Sequence, residues 1–438
     1  MQDFRRDKEL LSMTESKDKD GENLLEANNL IYTAPMNLST TSMRTLRRYD
    51  AMKTNYTSNS GSMIFYIQSG ADYVDFSKSV LRFKLYHNGT DATDYGFGIG
   101  SSLNIIRDII ITAKSGRELG RIQRANVYYA HRDRQRMSRD KIQSVGSLIG
   151  YKVIDDPDDD TKVDVDADSL TDIKSEAKAI DYTIPLSHLH GLFDIDQLAP
   201  AGLASGLKIE LFLENPATAI VGADDQLTNY TVVNPYILCD CHTLNDDTAR
   251  KLNDISTRNG LEILYRATHM NSDSGTKSVF NVESNKAASR VLGGMIVARA
   301  SGNLGLATAD SIKSVPYTDA GDAKNSVVEY QYKVGSSYFP FQPVRGESEA
   351  FYNQLYSNDK LGKHPSLVDA QRYNAYTATY NAKFETADVI ANSGLAVNNS
   401  QNLSTNVKYG QGVAFDLSLF LDFTMLIRVY PSNVVPFE

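Results

Sequence analysis

Alternating apolar and polar positions are the dominant pattern in the first half of the chain. In the stretch LKIELFLE, Leu207, Ile209 and Leu211 fall on one side, whereas Lys208 and Glu210 fall on the other. This period of two is typical of a β-strand with one buried and one mostly solvated face. Similar apolar runs in MIFYIQS, SVLRFKLYH and LNIIRDIIITA are separated by turn signals such as HNGTD. The first half is therefore predicted to be an all-β sandwich.

The stretch HGLFDIDQLAPAGLASG leads directly into LKIELFLE and has a different composition, rich in Leu, Ala, Pro and Gly. We interpret it as a corner at one end of the sandwich. Pro200 and Gly202 would turn the chain there, and Gly206 would allow a close approach of the backbone to its neighbours.

Two segments interrupt the strand pattern with residues that favour helices. The first, residues 117–141, spaces Ile122, Ala125 and Tyr129 as one face of a helix. The second is SEAFYNQLYSN, which follows a set of strands in the second half. We therefore predict one short helix inserted into each half of the chain.

A third helix is predicted near the midpoint, where a linker would stand. Asn245 can cap this helix, Asp246 and Asp247 favour its N-terminal end, and Arg258 with Gly260 closes it.

The region after this helix repeats the outline of the first half. Strands are predicted at KSVFNVES, RVLGGMIVARA and SVVEYQYKVG, and the alternating run FDLSLFLDFTMLIRVYP stands near the end. The residues before the first strand are polar and lack a sustained period. We therefore predict an N-terminal arm at 1–60, a first sandwich at 61–244, a linker helix at 245–261 and a second sandwich at 262–438.

Composition limits the class of protein. A net charge of -9 over 438 residues argues against a protein that coats nucleic acid. Cys239 and Cys241 are too close in sequence for a favourable disulfide. The first twenty residues carry charges where a signal peptide would need an apolar core, and no stretch approaches the ~18 consecutive apolar residues of a membrane span. We expect a chain that is made and folded in the cytosol and binds mainly proteins.

Several clusters have the composition of a site but not its spacing. Gly96, Gly98 and Gly100 lack the βαβ setting of a dinucleotide-binding loop. The loop at 155–168 begins like a calcium loop, but the later Gly and Glu of such a loop are missing. It is predicted to be a solvated surface loop.

The histidines and cysteines are the remaining candidates for metal ligands. His188 and His190 would share one face of a strand and could bind a metal with Asp194, but polar residues at a strand end are the favoured interpretation. Cys239 and Cys241 lack a second pair of zinc ligands and are predicted to be buried in a strand. We therefore expect no enzyme activity, no cofactor and no metal site.

Three stretches carry a resemblance to a known family. They are LNIIRDIIITAKSGRELGRIQRANVYY, IPLSHLHGLF with LAPAGLASGLKIELFLE, and NYTVVNPYILCDCHTLND. The chain resembles the double jelly-roll major capsid proteins of icosahedral double-stranded DNA viruses, particularly those of polinton-like viruses and virophages. The motifs cover the first half, and the second half is similar in layout.

The resemblance implies an all-β fold of two consecutive jelly-roll β-sandwiches, with short inserted helices and an N-terminal arm. It also implies a structural protein of the virion that forms homotrimers of pseudo-hexameric outline, and these would pack into an icosahedral shell. The expected partners are other copies of the chain, penton proteins and minor capsid proteins, with no specific nucleic acid. The sequence carries no signal for or against a membrane beneath the shell.

A trimer needs extensive contacts between subunits, with apolar, Arg or Tyr anchors. The two inserted helices combine such residues, and acidic residues interleaved with the arginines of the first favour a solvated or subunit-facing helix over a nucleic-acid contact. The candidate subunit-interface residues are Arg132, Arg134, Arg136, Phe351, Tyr352 and Tyr356.

Two other classes of protein share a β-sandwich. A receptor-binding spike or lectin would bind its ligand at the loops, and the Tyr-rich stretch YNAYTATYN at 373–381 suits stacking on sugars. A cupin-like enzyme would need a cluster of His and carboxylate ligands, whereas the seven histidines are scattered along the chain.

Overall fold

The computed structural model describes most of the chain from Thr40 to Phe437. The described residues are 40–89, 95–138, 141–151, 172–173, 175–195, 197–222, 227–284, 286–301, 304, 312–315, 326–358, 378–384, 395–397, 402–410, 414–431 and 433–437. The predicted surface loop at 155–168 lies outside the described residues.

The first half forms two main antiparallel sheets, one of five strands and one of four, that enclose one core. Its strands are β1 (Thr41–Asp50), β2 (Asn55–Thr57), β3 (Ser62–Ile67), β4 (Tyr73–His87), β5 (Tyr95–Gly96), β6 (Ile106–Thr112), β7 (Glu118–Ile122), β8 (Asp172–Ile173), β9 (Ile180–Pro185), β10 (Leu207–Leu213), β11 (Val221–Gly222) and β12 (Tyr230–Leu244). The sheets have the orders β1-β12-β4-β9 and β3-β10-β6-β7. The short β2 pairs with β12, and β11-β5-β8 form a small third sheet.

The second half repeats this arrangement. Its strands are β13 (Leu261–Gly275), β14 (Val279–Ser284), β15 (Ala288–Ala300), β16 (Val327–Val334), β17 (Ser337–Val344), β18 (Tyr380–Lys383), β19 (Leu395–Val397), β20 (Leu403–Tyr409), β21 (Phe415–Val429) and β22 (Val434–Phe437). The sheets have the orders β13-β21-β15-β18 and β14-β20-β16-β17, while β19 pairs with β15 and β22 with β21.

The strand order identifies both halves as jelly rolls. When the eight main strands of each half are counted along the chain, the first pairs with the eighth, the eighth with the third and the third with the sixth. In the facing sheet the order is second, seventh, fourth and fifth. This connectivity is the jelly roll of two Greek keys, so the predicted fold class is confirmed.

The α-helices are α1 (Ala125–Arg136), α2 (Ser147–Ile149), α3 (Leu186–Leu189), α4 (Ala201–Ala204), α5 (Pro216–Ala219), α6 (Asp246–Arg258) and α7 (Glu347–Ser357). A π-helix spans Ile142–Gly146, and 3₁₀ turns lie at Ser58–Ser60, Ser102–Ile105, Glu176–Lys178 and Gly191–Phe193. Helices α1 and α7 occupy the same place in their halves, between the fifth and sixth main strands. None of the helices in the described ranges is long and apolar enough to cross a membrane.

Helix α6 lies between β12, the last strand of the first jelly roll, and β13, the first strand of the second. The side chain of Asn245 accepts a hydrogen bond from the backbone N–H of Asp247 at 3.2 Å, which caps the helix. Two acidic residues follow in the first turn, and Gly260 ends the segment with φ of +74°. Only Ser256 of this helix is buried, so it lies at the surface of the protein.

Two segments differ from their predicted structure. Thr41–Asp50, placed in the arm by its polar composition, forms β1 and pairs with β12 along most of its length. Glu118–Ile122, placed in a helix, forms the edge strand β7, and α1 begins only at Ala125. Both are edge strands with several exposed side chains, so their sequences lack the alternation of a strand in the middle of a sheet.

The corner before β10 brings the two jelly rolls into contact. Pro200 precedes the short helix α4, and Gly206 adopts φ of +96° before β10. A Cβ added at Gly202 would lie 2.3 Å from the carbonyl oxygen of Tyr430, and one at Gly191 would lie 2.1 Å from that of Arg266. Glycine is therefore needed where this corner meets the backbone of the second jelly roll.

Candidate assembly surface and the junction between the jelly rolls

Helix α1 lies between the two jelly rolls. The residue before it, Arg124, has φ of 49° and turns the chain from β7 into the helix. Ten of the twelve helix residues are buried, which is incompatible with a helix on the surface. The inserted helix is therefore an internal element of the chain.

One side of α1 packs on the outer face of β21. Leu417, Leu419 and Leu421 point into the core of the second jelly roll, so the alternate residues face outward. Arg124 donates to Asp416 Oδ2 at 2.6 Å and to Ser418 Oγ at 2.8 Å. The hydroxyl of Tyr128 donates to Asp422 Oδ1 at 2.8 Å, and its ring lies 5.2 Å from that of Phe420. Helix α1 thus covers residues that would otherwise form an open sheet face.

The C-terminal end of α1 reaches the edge of the same sheet. Gln135 donates to Thr379 Oγ1 at 2.6 Å and accepts from Asn358 at 2.9 Å and from Asn381 at 3.1 Å. Arg136 lies 3.6 Å from Asp422. These contacts join α1 to the end of α7 and to the start of β18.

The opposite side of α1 carries a buried carboxylate, Asp133. It accepts hydrogen bonds from Arg132 at 2.9 Å, from the hydroxyl of Tyr151 at 2.8 Å and from His188 Nε2 at 2.6 Å. Burial alone would raise the pKa of Asp133, but these partners outweigh it and hold the pKa well below its usual range. The carboxylate is therefore ionised and holds α1 to α3.

The arginines of α1 serve contacts within the chain. Arg134 is 1% exposed and donates to the carbonyl oxygen of Ile99, so it offers no surface to a second subunit. This corrects its predicted place at an interface. The side chains of Arg132 and Arg136 are 19% and 39% exposed, so a subunit contact by these two stays a prediction.

His188 and His190 do not share a strand face, so that prediction is wrong. His188 belongs to α3 and contacts Asp133, whereas His190 caps the following 3₁₀ turn by accepting from Leu192 N–H at 3.0 Å. Burial lowers the pKa of His190 and of His131 to about 4. Both rings are therefore neutral at pH 7.

Cys239 and Cys241 are buried in β12 as free thiols, which confirms the predicted placement. Burial raises the pKa of Cys239 to about 12. The same strand brings Asp240 and His242 close to Asp75 of β4, a grouping the sequence does not indicate because the residues are far apart in the chain. Arg44 bonds Asp240 at 2.6 Å and Lys78 bonds Asp75 at 2.7 Å, so both carboxylates already have cationic partners.

Helix α7 differs from α1 in that one side is open to solvent. Ala350 and Gln354 are buried, and Phe351 is half-buried against the core of the second jelly roll. Tyr352 and Tyr356 are 52% and 47% exposed, and their rings stack with centroids 6.2 Å apart. The predicted interface role of these three aromatic residues stays a prediction, and their exposure is compatible with it.

Comparison with known proteins identifies the fold. No family model and no curated protein sequence matches the chain. Among solved structures, the chain is similar to one in the Sputnik virophage structure, with a TM-score of 0.59, 10% identity and coverage of 92% of this chain and 90% of that one. The Faustovirus major capsid protein gives a TM-score of 0.59, 10% identity and coverage of 92% and 94%. A chain of the PBCV-1 virus capsid gives a TM-score of 0.57 at 10% identity, with coverage of 93% of this chain and 99% of that one.

These similarities extend over nearly the whole of each chain, so they concern both jelly rolls together. At 10% identity they show a shared fold. The protein therefore has the double jelly-roll fold seen in these capsid structures.

Proposed function

We propose that this protein is the major capsid protein of an icosahedral double-stranded DNA virus. The observation that carries the proposal is the pair of jelly rolls with the same strand order, similar to capsid structures over more than 90% of the chain. In this proposal the chain is made in the cytosol of the host cell and acts in the virion.

The geometry suits a building block of a shell. Each jelly roll encloses its own core, which leaves its outer faces and loops free for lateral contacts. The two rolls are fixed side by side by the buried helix α1, so the chain presents a rigid pair of similar units. Three such chains would form a capsomer with six similar units around its axis. Residues 41–244 and 261–437 would be the two building units, with α6 as the linker.

The proposed partners are other copies of the chain, first in a trimer and then between capsomers. Penton and minor capsid proteins would fill the positions that a hexagonal capsomer leaves. The net charge of -9 disfavours coating of the genome by this chain.

A glycan-binding module is not favoured. It depends on the tyrosines of the stretch at 373–381, of which only 378–381 lie among the described residues. Tyr380 is fully buried and its hydroxyl donates to the carbonyl oxygen of Val315 at 3.1 Å. This tyrosine therefore has no free face on which a sugar could stack.

The test is the mass and the assembly of the purified chain. Light scattering should give a particle of three times the chain mass of 48.5 kDa. Electron microscopy of concentrated protein should then show hexagonal capsomers and closed shells. A chain that stays monomeric at all concentrations and binds glycans on an array would contradict the proposal.

A further inference from the structure

The contact between the two jelly rolls of one chain shows which elements join neighbouring rolls. The first roll contributes its fifth strand, β7, and the following helix, α1. Tyr265 of β13 donates its hydroxyl to the carbonyl oxygen of Leu119 in β7, and Tyr128 of α1 packs on Phe420 of β21. The fifth strand and helix of one roll thus contact the first and eighth strands of the next.

The equivalent elements of the second roll are β17 and α7. Of these, the described contacts to the first roll are those of Asn358, at the C-terminal end of α7, with Gln135 and Arg136 of α1. Phe341 of β17 is 86% exposed and Tyr338 is 45% exposed. On α7, Glu349, Tyr352 and Tyr356 are spaced by three and four residues and form one exposed stripe. Aromatic exposure of this extent on adjacent elements is characteristic of a surface that another protein covers.

The matching elements of the first roll, β1 and β12, also have an outer face that is open among the described residues. Ile237 of β12 points into the core, so Leu238 and its partner Arg48 of β1 face outward. On this outer face Leu46 is 63% exposed and Leu238 is half-buried. In the second roll, by contrast, β21 is buried on both faces from Phe415 to Leu421 because α1 covers it. Within the described part of the chain, no such helix covers the outer face of the β1-β12-β4 sheet.

Charge also fits the two open surfaces to each other. Within the chain, basic residues of α1 meet the acidic Asp416 and Asp422. Helix α7 instead begins with acidic residues, among them the exposed Glu349. On the open sheet face, Arg82 of β4 donates to Thr183 at 3.1 Å and has no carboxylate partner among the described residues. The other cations of this face already pair with Asp50, Asp181 and Asp240. The acidic Glu349 and the basic Arg82 would therefore replace the basic helix and acidic strand of the internal contact.

We infer that β17 and α7 of one copy pack on the outer face of the β1-β12-β4 sheet of a second copy. This surface pair rests on the proposed function and names the contact that holds the capsomer together. The contact joins two different surfaces, so it repeats head to tail, and in the proposed trimer three copies close it into a ring. Each ring would then alternate internal and external contacts built from the same elements.

The test is a charge exchange across the contact, measured by analytical ultracentrifugation. Glu349→Arg and Arg82→Glu should each weaken the trimer, by about tenfold or more in dissociation constant, because like charges would meet in a partly desolvated contact. The two changes in one chain should restore association, since the exchanged pair is again complementary. Arg117→Glu, in an exposed turn of the other sheet, is the matched control and should leave the trimer unchanged.

A second pair of variants tests the apolar part. Phe341→Ser should abolish the trimer, whereas Tyr66→Ser, on an aromatic residue 44% exposed on β3, should not. Thermal melting of the monomers would show that each variant folds. Restored association in the double variant, Glu349→Arg with Arg82→Glu, would also show that each single change removes a contact and does not unfold the chain.

The outcomes separate this inference from the proposed function. A trimeric wild-type chain that tolerates all of these changes would overturn the surface pair and leave the capsid function standing. A wild-type chain that stays monomeric and forms no capsomers would contradict the proposed function as well. Association only in the presence of a different protein would put another partner on this surface and contradict the inference.

Discussion

At the scale of single residues, the buried carboxylate of Asp133 holds α1 to the rest of the first jelly roll. Its carboxylate accepts hydrogen bonds from Arg132 of α1, from Tyr151 after α2 and from His188 of α3. A buried ion pair adds little stability in net terms, but removal of one partner leaves an uncompensated charge. The sequence predicted a solvated or subunit-facing helix around Asp133, because two of its partners, Tyr151 and His188, lie elsewhere in the chain.

Replacement of Asp133 by Asn should lower the free energy of unfolding by about 3 kcal/mol, because the amide cannot compensate Arg132 and turns one donor toward other donors. Urea denaturation followed by circular dichroism measures the change. Asp50→Asn is the matched control, since Asp50 is an exposed partner of Arg48. That change should cost less than about 1 kcal/mol. Equal losses in the two variants would contradict this role for Asp133.

The two buried histidines should make stability depend on pH. The pKa of each is about 4 in the folded chain and about 6.5 when unfolded. Between these values the unfolded chain binds protons that the folded chain does not, so the free energy of unfolding falls as pH is lowered from 6.5 to 4. The slope is up to about 1.4 kcal/mol per pH unit for each histidine.

His190→Asn is the variant that isolates one histidine. Asn does not titrate, and its side-chain oxygen can still accept from Leu192 N–H as a helix cap. Urea denaturation at several values between pH 7 and 4.5 should give a shallower slope than the wild type, whatever the offset at pH 7. An unchanged slope would mean that His190 does not remain neutral in the folded chain.

At the scale of elements, strands with a clean alternation could be predicted, whereas the edge strands β1 and β7 could not. Leu207, Ile209 and Leu211 alternate cleanly because β10 has a neighbour on both sides and one face in the core. β1 and β7 border only one strand each, so exposed residues interrupt their pattern. The strong caps of α6 made it predictable from local residues alone. The burial of α1 depends on a distant strand and leaves no local signal.

In the corner helix α4, helix propensity and steric contact have opposite effects on the free energy of unfolding when Gly202 is replaced. Gly202→Ala should raise stability by about 1 kcal/mol if helix propensity decided the outcome. The added Cβ would instead meet the carbonyl oxygen of Tyr430 at 2.3 Å, so we expect a net loss of about 1–3 kcal/mol. Gly346→Ala is the control, because the nearest atom to its Cβ would be 3.9 Å away. A stabilised Gly202→Ala chain would show that the corner can move away from the second roll.

At the scale of the whole molecule, α6 and α1 provide two of the links between the jelly rolls. Helix α6 joins them covalently, and α1 joins them through Arg124, Tyr128 and Gln135. The covalent link was evident in the sequence. The second link was not, because Arg124 and its partner Asp416 are 292 residues apart and nothing local to either residue pairs them.

The second link should hold the protein together when the first is cut. A protease site placed in the exposed part of α6 would allow cleavage between the rolls, and the halves should still elute together with an unchanged mass by light scattering. Asp416→Ala with Asp422→Ala removes the carboxylates that receive Arg124 and Tyr128. In that background the cleaved halves should separate, whereas the uncleaved chain should keep the mass of the parent. Separation of the cleaved parent would show that α6, and not α1, keeps the jelly rolls side by side, and the rigid pair proposed for the capsomer would then need a different basis.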